Sequence, residues 1–264
     1  MTEPIFVILA GGYGIRMHEW INQNYGDIPK VLLPIGEEQK PILYHNLINC
    51  IEIGNAENVY VTFALPEIGD YVQRFNRKIN LIREPQDERD PKTNIGRGGA
   101  LSYCVRERLI PETDIVTVNA VDLCPKDSLY NITNLEGSAF LIARSYFSEV
   151  PSTNLPNVVH FNDNGIITHI RREEYSRDDN NTGLHTGISR IEVEYYHRLR
   201  DIPMGSETED TIFLEILNEG RLQISGPIDT WFPLKIPKHA RDYENLGIEL
   251  FREKGEITIS GGLD

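Results

Sequence analysis

Over its first half the chain alternates short apolar runs with longer amphipathic stretches. Residues 5–10, IFVILA, form an unbroken apolar block of strand length, and 58–64, 79–84 and 114–122 read as further strands. Between them, 41–54 reads as a helix with Pro41 near its start and Gly54 at its end. Two more helices are expected over 66–76 and 98–109. Strand and helix in alternation predict an α/β chain, Rossmann-like, with a mostly parallel sheet and helices on both faces. Ligands of such sheets sit beyond the carboxyl ends of the strands, a position held here by residues 9–17 and 119–124.

The second half changes character. Residues 138–145 read as a strand and 157–173 as a β-hairpin, because Asn164-Gly165 is a strong turn signal between β-rich flanks. Strands at 183–192 and 221–228, helices near 193–200 and 210–218, and a terminal helix over 238–254 complete the pattern. The polar, acidic run 84–94 reads as a connecting loop. With no internal repeat and no linker-like stretch, residues 1–264 are expected to form one domain.

Composition narrows the function. The chain has 264 residues, 40% hydrophobic and 25% charged, an ordinary globular balance. Its apolar runs fall short of the roughly 18–20 residues that span a bilayer. The start, MTEPIFVILAGG, lacks a basic n-region, so a cytoplasmic protein with no membrane partner is expected. Cys50, Cys104 and Cys124 form no CxxC pair and read as core residues in a reducing compartment. A net charge of −14 excludes a broad nucleic-acid surface. It leaves room for a few fixed cations around a nucleotide, which gives weight to each lysine or arginine near a glycine loop.

One such loop stands at residues 8–17, ILAGGYGIRM. It lacks the third glycine of G-x-G-x-x-G, and the form G-x-x-x-x-G-K-[ST] is absent. A nicotinamide oxidoreductase is therefore a poor fit. What remains is a loop whose backbone N–H groups can approach a phosphate or base, with Arg16 able to clamp oxygens in a bidentate fork. The alternative is a tight strand-to-helix turn with no ligand. Downstream, IPKVLLPIG (28–36) places Lys30 at a bend after an irregular excursion, since Pro29 disfavours helix at Ile28.

Taken together, LAGGYGIRM and IPKVLLPIG resemble the signature of the sugar-1-phosphate nucleotidyltransferases, NDP-sugar pyrophosphorylases such as the mannose-1-phosphate guanylyltransferases. That signature usually reads L-A-G-G-x-G-T-R-L/M with a downstream P-K-P. The likeness extends to IGRGGALSYCV (95–105), VTVNAVDL (116–123), TGLHTGISRIE (182–192) and WFPLKIPKHARDYENLGIELF (231–251), in order along nearly the whole chain.

The resemblance implies a GT-A-like fold whose residues 1–135 mainly bind nucleotide, 136–237 mainly bind sugar phosphate, and 238–264 form a C-terminal helix and tail. It implies that a sugar 1-phosphate attacks the α-phosphorus of a nucleoside triphosphate, giving an NDP-sugar, for example for polysaccharide biosynthesis, and pyrophosphate. Arg16 would hold the pyrophosphate, Lys30 would stabilise charge at the α-phosphorus, and Asp122 would bind Mg²⁺, with Mn²⁺ as a substitute. Leu9, Ala10, Gly11, Gly12, Gly14, Glu84, Arg97, Gly98 and Gly99 would meet the nucleotide. His185, Thr186 and Gly187 would line the sugar pocket, with Arg171 or Arg172 receiving the sugar phosphate. A homo-oligomer is compatible with this picture.

Four positions depart from the family pattern. Ile15 replaces a threonine, Arg97 replaces another, and His185 stands for an asparagine. Pro233 occupies the slot of a second metal-binding aspartate, with Asp229 four residues earlier as a candidate substitute. Two further readings follow: a degenerate homologue that binds nucleotide or sugar phosphate as a regulatory or partner subunit, and a transferase whose acceptor is another phosphate monoester.

Overall fold

The computed structural model describes residues 3–86, 90–123, 125–146, 155–229 and 231–243. Its strands are β1 (Ile5–Leu9), β2 (Pro34–Ile35), β3 (Lys40–Pro41), β4 (Val59–Phe63), β5 (Asn80–Arg83), β6 (Ile115–Asn119), β7 (Asp122–Leu123), β8 (Ser138–Ala143), β9 (Asn157–Phe161), β10 (Ile167–Arg172), β11 (Thr182–Ile191), β12 (Leu222–Ile228) and β13 (Phe232–Pro233). The helices are α1 (Ile15–Tyr25), α2 (Ile42–Gly54), α3 (Pro66–Phe75), α4 (Gly96–Arg106), α5 (Lys126–Asn134), α6 (Ile212–Asn218) and α7 (Pro237–Tyr243).

The main sheet runs β10-β9-β11-β6-β1-β4-β5, with β8 joined to β11 and β12 to β8. Strands β6, β1, β4 and β5 are mutually parallel. From β11 onward the pairing is mostly antiparallel, so the sheet is mixed, with one half parallel. Strand β1 explains why both faces are covered. Its alternate residues Phe6 and Ile8 enter one core with Leu43, Leu47, Val72 and Leu129, while Ile5, Val7 and Leu9 enter another with Leu101, Val105, Tyr195 and Phe213. A third, smaller cluster of Met17, Ile21, Leu33, Ile42, Leu123, Phe232 and Leu234 ties α1 to β7 and β13.

Three sequence expectations are corrected. The excursion before Lys30 is the regular helix α1, held because Met17 and Ile21, one turn apart, are both buried. Helix α5 was not expected from its polar sequence; Leu129 and Ile132 anchor it. The expected strand 114–122 breaks after Asn119, and Asp122 starts the short strand β7, paired with Pro233 of β13. The expected hairpin forms, β9 pairing with β10, and its turn closes through Gly165 N–H to the Asn162 carbonyl, 2.8 Å. Cys50 and Cys104 are buried free thiols. Cys124 and the greater part of the expected terminal helix lie outside the described residues. No helix among the described residues is long and apolar enough to cross a membrane.

Candidate functional site

The glycine loop follows β1 at the carboxyl edge of the parallel strands, and it packs directly on a carboxylate. A Cβ built on Gly11 would lie 2.0–2.2 Å from the carboxyl atoms of Glu84, an approach only glycine permits. Gln86 locks the arrangement, its amide donating to the Gly11 carbonyl at 2.9 Å and to Glu84 Oε2 at 2.7 Å. Burial raises the Glu84 pKa from 4.5 to about 7, so this carboxyl is part protonated at neutral pH. Gly11→Ala is expected to displace Glu84 and the loop with it. A lowered melting temperature in thermal denaturation checks this, and an unchanged one contradicts it.

Beyond the loop stands a cluster of cations around one buried aspartate. Asp122 is fully buried. Asn119 Nδ2 donates to its Oδ2 and Trp231 Nε1 donates to its Oδ1 at 3.1 Å. Lys235 Nζ stands 3.9 Å from Oδ1 and 4.2 Å from the centre of the Trp231 ring. Burial pushes the Asp122 pKa up, and Lys235, Arg97 and Lys30 pull it back down. Lys30 feels the same neighbourhood. Its burial and the nearby Arg16 guanidinium lower its pKa from 10.5 to about 8, against the pull of Asp122. Lys30 also packs under the glycine loop, its Cβ 3.0 Å from the place a Gly14 Cβ would take.

The backbone of β11 closes the floor. This strand pairs with β9 through residues 182–184 and with β6 through 188–191, and it changes partner at Gly187. Gly187 adopts φ +81°, and a Cβ there would lie 2.5 Å from Asp122 Oδ2.

Two cavities meet over this cluster. One, of about 250 Å³, is lined by the glycine loop, Lys30 and Glu84; the other, of about 690 Å³, by Arg172, His185 and Trp231 among others. Arg16, Arg97, Glu207 and Lys235 line both.

No protein-family model matches the chain, and no curated protein matches it in sequence. Solved structures do match. An inositol-1-phosphate CTP transferase from T. maritima aligns with a TM-score of 0.68 at 13% identity, over 95% of this chain and 94% of that one. A protein described as a glucose-1-phosphate thymidylyltransferase, from Bacillus anthracis, aligns at 0.68 and 18% identity, over 94% and 99%. A UDP-glucose pyrophosphorylase solved with UDP-glucose aligns at 0.63 and 15% identity, over 92% and 97%. The chain has the nucleotidyltransferase fold.

Within that fold, the residues singled out from sequence divide. Leu9, Ala10, Gly11, Gly12, Arg16, Lys30, Glu84 and Arg97 line the smaller cavity, and Arg16, Arg97, Arg172, His185 and Gly187 the larger. Gly14, Gly98, Gly99 and the buried Asp122 line neither. The Gly98 N–H donates to the Ser206 carbonyl at 2.9 Å, and a Gly99 Cβ would press on Met204 at 3.2 Å, so these glycines seat α4 against the segment 202–207. Thr186 turns away, its hydroxyl donating to the Leu141 carbonyl at 2.9 Å. Arg171 faces a neighbouring groove with Asp210 and Leu214. Asp229 opens on a separate cavity with Asp127 and Asn131, away from Asp122.

Arg97 is held rather than free. Its guanidinium pairs with Glu207 at 2.6 Å and with Glu209 at 2.9 Å. Burial would raise the Glu209 pKa, but Arg97 and His185 outweigh it and hold the carboxyl well below its usual range. His185 stacks on Phe140 at 4.0 Å and sets Nδ1 3.2 Å from Glu209 Oε1. Glu207, Glu209, Asn119, Trp231 and Lys235 are the site residues that sequence reasoning missed. A signal for Lys235 lay in WFPLKIP, where it stands two residues after the anomalous Pro233.

The two-carboxylate cation site implied by the sequence resemblance does not fit these residues. Each oxygen of Asp122 already accepts a hydrogen bond, a proline faces it across the ladder, and Asp229 lies elsewhere. Among the described residues no group of three or more His, Cys, Asp or Glu side chains could hold a metal ion.

Proposed function

We propose that this protein transfers a nucleotidyl group from a nucleoside triphosphate to a sugar 1-phosphate, releasing an NDP-sugar and pyrophosphate. The observation that carries the reading is that Arg16, Lys30 and Asp122, far apart in sequence, come within electrostatic reach of one another, Arg16 lining both cavities, Lys30 the smaller, and Asp122 buried behind their walls. The smaller cavity suits a nucleotide, with main-chain groups of the glycine loop and the Glu84 carboxyl along its wall. The larger suits a sugar phosphate: Arg172 supplies charge for the phosphate, and His185 and Glu209 supply partners for hydroxyls.

The chemistry asks little of a proton relay. A phosphate monoester loses its second proton near pH 6, so the attacking oxygen is already largely ionised at neutral pH. That oxygen forms a bond to the α-phosphorus, the bond from the α-phosphorus to the bridging oxygen breaks, and pyrophosphate leaves with the electron pair. What the protein supplies is alignment and positive charge. Arg16 stands at the shared edge of the cavities and Lys30 in the smaller one beside it, where the charge shifts from acceptor to leaving group.

A release assay for pyrophosphate, run over five nucleoside triphosphates against a panel of sugar 1-phosphates and polyol phosphates, tests the reading. Turnover with one triphosphate and one acceptor is expected. Pro233, which offers no ligand opposite Asp122, favours one rival, a regulatory subunit that binds but does not turn over. Nucleotide binding with no pyrophosphate from any pairing would select that rival. The cytoplasm is the compartment expected for such substrates.

A further inference from the structure

We propose that Lys235 supplies, from within the protein, the positive charge beside Asp122 that a divalent cation would otherwise bring, so that this cleft binds phosphate without a metal. The inference rests on the reading of the cleft as a phosphate site, and deepens it.

Three observations carry it. First, β13 pairs with β7 so that Pro233 lies directly opposite Asp122. Partners opposed across an antiparallel ladder project to the same face. A carboxylate at 233 would therefore stand beside Asp122 as a second oxygen ligand; proline offers none. Second, the space beside Asp122 holds the Lys235 ammonium, 3.9 Å from Oδ1. At that separation charge attracts charge without a closed hydrogen bond, so the three ammonium donors are not consumed by the carboxylate. The Trp231 ring beneath, 4.2 Å from Nζ, fixes the ammonium in position while its indole N–H holds Asp122. Third, Lys235 lines both cavities, as a group bridging two phosphate-bearing substrates must. A divalent cation brought to Asp122 would meet the repulsion of this ammonium 3.9 Å away and would have to compete for oxygens that already accept from Asn119 and Trp231.

Arg16, Lys30, Lys235 and Arg97 thus set four cations in the cleft against Asp122, Glu207 and Glu209, with Glu84 part protonated beside them, so Lys235 decides whether the cleft keeps a positive balance.

The test uses the full chain and two probes, Mn²⁺ alone and inorganic pyrophosphate. By electron paramagnetic resonance of the free ion, wild-type protein is expected to take up no Mn²⁺ at a site lost in Asp122→Asn. The double variant Pro233→Asp/Lys235→Ala is expected to bind Mn²⁺ on the order of tenfold more tightly than wild type, since it recreates two adjacent carboxylates. By calorimetry, wild type is expected to bind pyrophosphate equally well in EDTA and in Mg²⁺. Lys235→Ala should weaken that binding on the order of tenfold, as loss of a charge-assisted contact does, while Lys235→Arg stays close to wild type. The two wild-type measurements need no variant to fold. Mn²⁺ uptake by wild type at an Asp122-dependent site, or pyrophosphate binding abolished by EDTA, overturns the inference and leaves the transferase reading standing. No pyrophosphate binding under either condition overturns both.

Discussion

Lys30→Ala is expected to lower kcat/KM for pyrophosphate release by about 10²–10³-fold, the loss typical of removing one donor aimed at developing charge. The stem of Lys30 is wedged under Gly14, which leaves its ammonium little freedom to be replaced by a neighbour. Its pKa, lowered to about 8 by burial and by Arg16, also sets a pH limit. Activity that needs the ammonium should fall as pH rises through about 8.

Stability should move the other way. Between pH 8 and 10.5 the unfolded chain binds a proton at Lys30 that the folded chain lacks, so stability rises with pH across that window. Below it both states are charged, and burying the charge is a standing penalty. Lys30→Met, which keeps the stem and drops the charge, is accordingly expected to raise the melting temperature at pH 7 while losing activity. Thermal denaturation beside the release assay measures both. A variant within threefold of wild-type activity would remove Lys30 from the chemistry.

Asp122→Ala is expected to be the most damaging single change to the fold near the site. It would leave Lys235, Lys30 and Arg97 without the carboxylate that draws them together, and the indole N–H of Trp231 and the amide of Asn119 without an acceptor. Breaking a buried charge pair in this way costs about 3–5 kcal/mol. Asp122→Asn keeps an acceptor for Trp231 and should recover part of that stability but little activity. Urea denaturation of the two variants separates the roles, and equal midpoints for alanine and wild type would contradict the packing described.

The parallel half of the sheet could be read from the sequence because its strands bury both faces, which leaves unbroken apolar runs such as 5–10. Helix α1 escaped notice because its two buried residues, Met17 and Ile21, sit in an otherwise polar stretch beside a glycine loop. The motif residues Gly11, Arg16 and Lys30 were visible since their spacing is local. Partnership across long separations was not. Arg97 and Glu207 are 110 residues apart, and SETED (206–210) reads as surface charge until the guanidinium is found between its carboxylates. Asp229 looked like a substitute for a carboxylate at 233, but it follows the end of β12 and opens on another cavity, whereas Pro233 lies in β13 opposite Asp122.

The change of partner along β11 at Gly187 has an evolutionary consequence. One strand carries His185 toward the larger cavity and, five residues on, Arg190 to its ion pair with Asp114. Side chains alternate along a strand, so one inserted or deleted residue between them would turn one of the two to the opposite face. New acceptor preferences can therefore arise by exchanging side chains around this cavity. They are not expected from adding or removing a single residue between His185 and Arg190, which would cost one of the two its partners.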